Sequence, residues 1–186
     1  LSTDMFGGIL TDWLETAGVD HGYSPKHDLA TTLAFVKLVD GQAQYAFYDE
    51  NSAMRMTDNR FLPALRDDVA CLHFGGMSLI PEPCGTAFET LMTLERKSRL
   101  ISCDPNMRSD FITDEPGYRA RVDRMITMAD IVKLSDEDME WITGSSDFDT
   151  IAGEWLTGRP SVVLVTRGAD GLIGYTKDHR VEQPGF

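Results

Sequence analysis

A chain of 186 residues, 42% apolar and 25% charged, carries enough apolar material for one domain with a true core, and this composition excludes the disordered and fibrous classes. Seventeen Lys and Arg against thirty Asp and Glu leave a net charge of −13, so nucleic-acid and membrane-surface partners are not expected. A small phosphorylated ligand stays open, because local N–H groups outweigh global charge at short range.

Residues 4–17 (DMFGGILTDWLETA) place Phe6, Ile9, Leu10, Trp13 and Leu14 at helical spacing, and Gly18 suits a C-terminal stop. Residues 32–48 (TLAFVKLVDGQAQYAFY) predict two strands around an Asp40-Gly41 turn, the strongest short-range hairpin signal. Apolar residues fall on both faces: Leu33, Phe35 and Val39 on one, Ala34, Val36 and Leu38 on the other. A free-standing hairpin should be wet on one side, so this one is expected to cover something.

From residue 69 the rhythm changes. Short apolar runs at 69–74, 99–103, 130–134 and 161–165 alternate with helix-like stretches at 84–97, 116–128, 136–142 and 148–156. Two-sided apolar strands alternating with helices predict an α/β fold with a mostly parallel sheet. Residues 171–177 read as an antiparallel return strand. The expected organisation is residues 1–30 as part of the α/β body, 31–57 as a small β element, and 58–186 as the rest of the body.

Cys71, Cys84 and Cys103 have no CxxC spacing and read as reduced thiols, which points to the cytoplasm. The four histidines are scattered without ligand spacing. No apolar run approaches the ~18 residues of a membrane span. The chain starts without Met and stops at Pro184-Gly185-Phe186, both of which look like interior sequence, so part of a longer protein is expected.

In open parallel sheets ligands bind beyond the carboxyl ends of the strands, which directs attention to the residues after each apolar run. Gly75-Gly76 after the first permits close backbone approach to a ligand, or is a plain turn. Asp104-Pro105-Asn106-Met107-Arg108 after the second offers a guanidinium for an anionic oxygen and an amide for sugar or phosphate oxygens; the alternative is a Pro turn with an Asp–Arg bridge. Ser135-Asp136-Glu137-Asp138 after the third is an N-cap with acids in the first turn, or a water-mediated Mg²⁺ site. Thr166-Arg167-Gly168-Ala169-Asp170-Gly171 after the fourth makes a phosphate cradle or an ordinary β-turn. No GxGxxG, GxxxxGK[ST] or GxSxG motif is present.

Taken in order, these stretches resemble one family, the PfkB (ribokinase/fructokinase-like) carbohydrate kinases. The Asp104–Arg108 segment resembles its D-P-N-x-R motif, and residues 129–144 (ADIVKLSDEDMEWITG) its V-K-x-S-x-x-E stretch. "VLVTRGADGLIGY" resembles the nucleotide-side strand and turn, "STDMFGGILTDWLETAGVD" the G-x-D-x-F-G helix, and residues 31–48 the β lid. The match is colinear over almost the whole chain.

The resemblance implies a ribokinase-like three-layer αβα sandwich with a β-hairpin lid, and ATP-dependent phosphoryl transfer to a sugar hydroxyl with Mg²⁺. The partners would be a small sugar and ATP, with a homodimer through the lids. Carried over by position, Arg108 offsets developing charge on the transferring phosphate, and Asn106, Arg108, Tyr48, Asp49 and Gly76 lie near the sugar. Lys133, Ser135, Thr166, Arg167, Gly168 and Gly171 would line the nucleotide side, and Asp138 would reach the metal through water. Ser135 and Asp138 depart from the family's N-x-x-E at both ends. The family's N-terminal part and its D-T-x-G-A-G-D segment, with the catalytic Asp, lie outside the 186 residues. Fructose is the expected sugar. The alternatives are 2-keto-3-deoxygluconate kinase, ribokinase, a nucleoside kinase, or a non-catalytic sugar- or nucleotide-binding homologue.

Overall fold

The structure, a computed structural model, describes residues 1–39 and 42–185 and divides the chain into two compact units. The first comprises Leu1–Leu65 with Pro81–Ala87, the second Arg66–Ile80 with Phe88–Phe186.

In the first unit α1 (Met5–Thr16) starts where the Asp4 side chain accepts from the Gly7 N–H at 2.7 Å, an N-cap that satisfies one orphan donor of the first turn. It ends as the Gly18 N–H bonds to the Glu15 carbonyl and the Val19 N–H to the Leu14 carbonyl, a Schellman pattern. The helix matches the sequence spacing, but Phe6, Ile9, Leu10 and Trp13 remain exposed. β1 (Leu33–Val39) and β2 (Gln42–Tyr48) pair antiparallel with Leu33 opposite Tyr48 and Val39 opposite Gln42. The Asp40-Gly41 turn read from the sequence lies outside the described residues. Both faces of this two-stranded sheet are apolar and open to solvent, with Phe35 56% exposed on one and Leu38 72% on the other.

The second unit is built on a six-stranded sheet of β3 (Cys71–Gly75), β4 (Leu100–Asp104), β5 (Ile131–Ser135), β6 (Val162–Thr166), β7 (Leu172–Tyr175) and β8 (Arg180–Gln183), in that spatial order. β3 to β6 run parallel; β7 returns antiparallel to β6, and β8 runs antiparallel to β7. The crossovers are α2 (Cys84–Glu95), α3 (Glu115–Met128) and the pair α4 (Asp136–Thr143) and α5 (Phe148–Trp155). Alternate strand residues are fully buried: Ile101 and Cys103, Val132 and Leu134, Val163 and Val165. The intervening positions, such as Ile131, Val162 and Leu164, are half-buried. α3, α4 and α5 pack against β4, β5 and β6 with Val122, Met125, Met139 and Ile151 in the core. The expected mostly parallel α/β fold with a separate small hairpin is what the chain adopts.

Candidate active site

β3 and β4 end level with each other, as do β5 and β6, which run two residues further. The register sets Gly75 opposite Asp104, Cys103 opposite Val132, and Ser135 opposite Thr166, so Asp104 stands level with Lys133 at the carboxyl edge. This edge gathers Gly76, Asn106, Arg108, Lys133, Ser135, Asp138, Thr166, Arg167, Gly168 and Gly171. Tyr48 and Asp49 belong to the other unit.

Gly75 is where two chain exits meet. A Cβ on it would lie 2.0 Å from the Asp104 carbonyl oxygen, and the next residue's N–H bonds to the Pro105 carbonyl at 3.1 Å. The glycine pair therefore joins the exit of β3 to the exit of β4. Gly76 itself has φ +67° with open space around it.

Beyond β4, Pro105 is buried and Asn106 takes φ +41°, in the left-handed region that Asn tolerates. The Arg108 guanidinium folds back on its own loop, donating to Asn106 Oδ1 at 2.8 Å and to the Met107 carbonyl at 2.6 Å. The Asp–Arg bridge considered from sequence does not form. Asp104 pairs instead with Lys133, Nζ to Oδ2 at 3.0 Å, because the register brings those two side chains level on neighbouring strands.

At the head of α4, Ser135 Oγ accepts from the Asp138 N–H at 3.0 Å while the Asp138 carboxylate accepts from Ser135. This is a reciprocal capping box. The same carboxylate accepts from the Met107 N–H, which ties the helix start to the Asn106–Arg108 loop. Burial holds the Asp138 carboxyl above its usual range, against the pull of those hydrogen bonds, and the nearby Asp104 charge adds to the rise. Tyr118, from α3, contributes a buried hydroxyl with no hydrogen-bond partner among the described residues, and burial followed by the Asp138 charge drives its pKa upward. Burial pushes the Cys103 thiol up to about 12, so it is a core residue and not a nucleophile.

After β6, Thr166 Oγ1 donates to the Leu134 carbonyl at 3.2 Å, and Arg167 is ion-paired to Glu182 of β8. Gly168, at φ +53°, opens a short 3₁₀ turn through Asp170. Gly171, at φ +91°, leaves no room for a side chain: a Cβ would lie 2.0 Å from the Gln183 carbonyl oxygen. Its requirement is packing against the exit of β8.

Among the described residues no group of three His, Cys, Asp or Glu side chains could enclose a metal ion. The edge does hold two neighbouring carboxylates, and Asp104 Oδ1 is a buried acceptor with no partner among the described residues. That donor set suits outer contact with a hydrated cation held chiefly by phosphate oxygens.

In the first unit a cleft of ≈ 680 Å³ is lined by Thr31, Tyr48, Asp49, Glu50, Asn51 and Arg55 among others. Arg55 Nη1 lies 3.1 Å from Asp49 Oδ2. Two residues that organise this region were not read from sequence as site residues. Ser52, 1% exposed, accepts from the Thr32 hydroxyl at 2.7 Å and from the Arg55 N–H at 3.2 Å. Asp4, besides capping α1, accepts from the Thr31 hydroxyl at 2.6 Å and its N–H at 2.8 Å, and these bonds hold its carboxyl well below the usual range. The partners lie 20 and 27 residues away, so no local pattern announces them.

A family profile described as "pfkB family carbohydrate kinase" matches residues 1–186. A fructokinase of Rhizobium leguminosarum bv. trifolii is 48% identical over 184 residues, covering 99% of this chain and 56% of the relative. Fructokinase-1 of Zea mays is 35% identical over 194 residues, covering 100% of this chain and 59% of that one. The crystal structure of a fructokinase with bound ATP from Xylella fastidiosa superposes with a TM-score of 0.89 at 27% identity, over 100% of this chain and 59% of that chain. The chain thus spans a little over half the length of these relatives, and the expected ribokinase-like fold is borne out.

Proposed function

The chain belongs to the pfkB family of carbohydrate kinases, and from that premise we propose that its protein transfers the γ-phosphoryl group of ATP to a hydroxyl of a small sugar, with fructose as the preferred acceptor. The observation that carries this reading is the position of the Asp104–Arg108 loop at the carboxyl edge of the parallel sheet, level with Lys133. Phosphoryl transfer needs little covalent help from a protein; it needs cations and N–H donors fixed where negative charge develops.

In this reading Arg108 stabilises the transferring group, its guanidinium leaving Asn106 Oδ1 and the Met107 carbonyl when a phosphate arrives. Asn106 and Gly76 contact the sugar, and Tyr48 and Asp49, in the first unit, keep the sugar-contact role that the family resemblance implies. Lys133, Ser135, Thr166, Arg167 and Gly168 line the nucleotide, while Gly171 shapes the turn. Mg²⁺ would neutralise charge on the phosphate oxygens, with Asp138 reaching it through water and Asp104 adding to the local negative potential. The two-stranded sheet would act as the lid over the sugar and, through its exposed apolar faces, as a dimer contact. A cytoplasmic location is supported by three free cysteines, two of them buried. No helix among the described residues is long and apolar enough to cross a membrane.

The test is coupled ADP release by the full-length protein with fructose, 2-keto-3-deoxygluconate, ribose and adenosine. Preferred turnover of fructose supports the proposal. Equal or absent turnover with all four overturns it, and sugar binding without turnover would identify a non-catalytic homologue.

A further inference from the structure

The cleft at the exit of β2 has a volume of ≈ 680 Å³, within the roughly 300–1,000 Å³ range of small-molecule sites. Its rim carries three formal charges, Asp49, Glu50 and Arg55, which sum to −1. The positive charge is already committed. Arg55 Nη1 donates to Asp49 Oδ2 at 3.1 Å, with side-chain exposures of 38% and 22% for the two partners.

This pairing is built into the backbone. The Ser52 N–H bonds to the Asp49 carbonyl at 3.0 Å, with Asn51 between them at φ +53°. The Ala53 N–H bonds to the Ala30 carbonyl at 2.8 Å, and the Met56 N–H to the Ser52 carbonyl at 3.0 Å. Ser52 Oγ, buried, receives the Arg55 N–H. Asp49 and Arg55 therefore project from one braced turn, and neither partner needs a long loop to be ordered before they meet.

An entering carboxylate finds its natural partner, a guanidinium fork, occupied by Asp49, with Glu50 adding like charge beside it. An uncharged polyol meets acceptors on Asp49, Glu50 and Asn51 and the remaining guanidinium donors, and needs no ion pair to break. We propose that the Asp49–Arg55 pair is a charge selector that admits an uncharged ketose to this cleft and rejects a sugar acid. The proposal deepens the sugar-kinase reading and rests on it.

The experiment compares kcat/KM for fructose and for 2-keto-3-deoxygluconate, with ATP, in the full-length protein and in Asp49→Asn, Glu50→Gln and Arg55→Gln. Asp49→Asn keeps a hydrogen-bonding group but frees the guanidinium, so the acid-to-fructose ratio should rise by about tenfold or more, chiefly through KM for the acid. Glu50→Gln removes one acid from an exposed position and should raise the same ratio by a smaller factor. Arg55→Gln removes the cation and should lower it. Melting curves identify any variant that fails to fold. An unchanged ratio in whichever of the Asp49 and Glu50 variants fold, or a rise in Arg55→Gln equal to that of Asp49→Asn, overturns the selector. Parent protein that phosphorylates neither sugar overturns the sugar-kinase reading itself, before any variant is compared.

Discussion

The Lys133 ammonium lies 3.0 Å from the Asp104 carboxylate, where the end of β4 stands level with the third residue of β5. Asp104 is the less exposed partner, at 17% against 34%, so losing the lysine strands a largely buried anion whose Oδ1 already has no partner among the described residues. Removing one member of such a pair costs more than the pair itself contributes, because the remaining charge stays desolvated. Lys133→Met should therefore lower unfolding free energy by about 1–2 kcal/mol, and Asp104→Asn added to it should restore part of that loss. Urea unfolding of the two single variants and the double variant measures the coupling; additive losses would mean that the pair does not act as a unit.

Arg108 has no carboxylate partner in its described hydrogen bonds; its donors rest on Asn106 and Met107 of the same loop. A guanidinium held only by local neutral acceptors is free to turn to a phosphate at little cost. Arg108→Ala in the full-length protein should lower kcat by about 10²-fold or more while the melting temperature stays near that of the parent. The opposite split, lost stability with normal turnover per folded molecule, would make Arg108 a loop staple.

Much of this edge was legible in the sequence, and one regularity explains what was not. Apolar runs at 69–74, 99–103, 130–134 and 161–165 marked four strands, yet each strand continues one residue further, to Gly75, Asp104, Ser135 and Thr166. Apolarity stops where a strand reaches the open end of the sheet, so the residue that leaves the pattern is the one that faces the site. β8 escaped notice for a related reason. Arg180 to Gln183 are all exposed and pair through the backbone along β7, which leaves no hydrophobic alternation to read. The partners of Asp104 and Arg108 depended on register and on side-chain direction, and neither is written in a local motif.

Acid should weaken the second unit through Glu89. Its carboxylate accepts from Arg124 at 2.5 and 2.9 Å, with Arg121 Nε at 3.6 Å, linking α2 to α3. The Arg124 hydrogen bonds are the main cause that holds its pKa below the usual value of 4.5. A depressed folded-state pKa contributes stability that is fully present above the unfolded value and lost as pH falls through the folded one. Arg124 is 56% exposed, so the contribution should be about 0.5–1 kcal/mol after solvent screening. Glu89→Gln should be less stable than the parent at pH 7 and should converge with it below pH 4.5; parallel urea midpoints across that range would remove Glu89 from the acid response.

The Phe35 and Leu38 side chains stand on opposite faces of the two-stranded sheet and are 56% and 72% exposed. Phe35 also meets Tyr48 edge-on at 5.6 Å, and Tyr45 stacks on Phe47 at 6.2 Å, which extends apolar surface over both faces. An isolated two-stranded hairpin is marginal in water, and apolar patches of this kind mark contact surfaces. If one face closes over the sugar and the other meets a second copy, the full-length protein should be a dimer at roughly micromolar concentration. A charge placed on the pairing face should then halve the mass seen by light scattering, whereas a charge on the sugar-side face should raise KM for the sugar and leave the mass unchanged. Phe35→Glu and Leu38→Lys test the two faces separately. A monomeric parent, or two variants whose mass and KM both match the parent, would show that this sheet performs neither task.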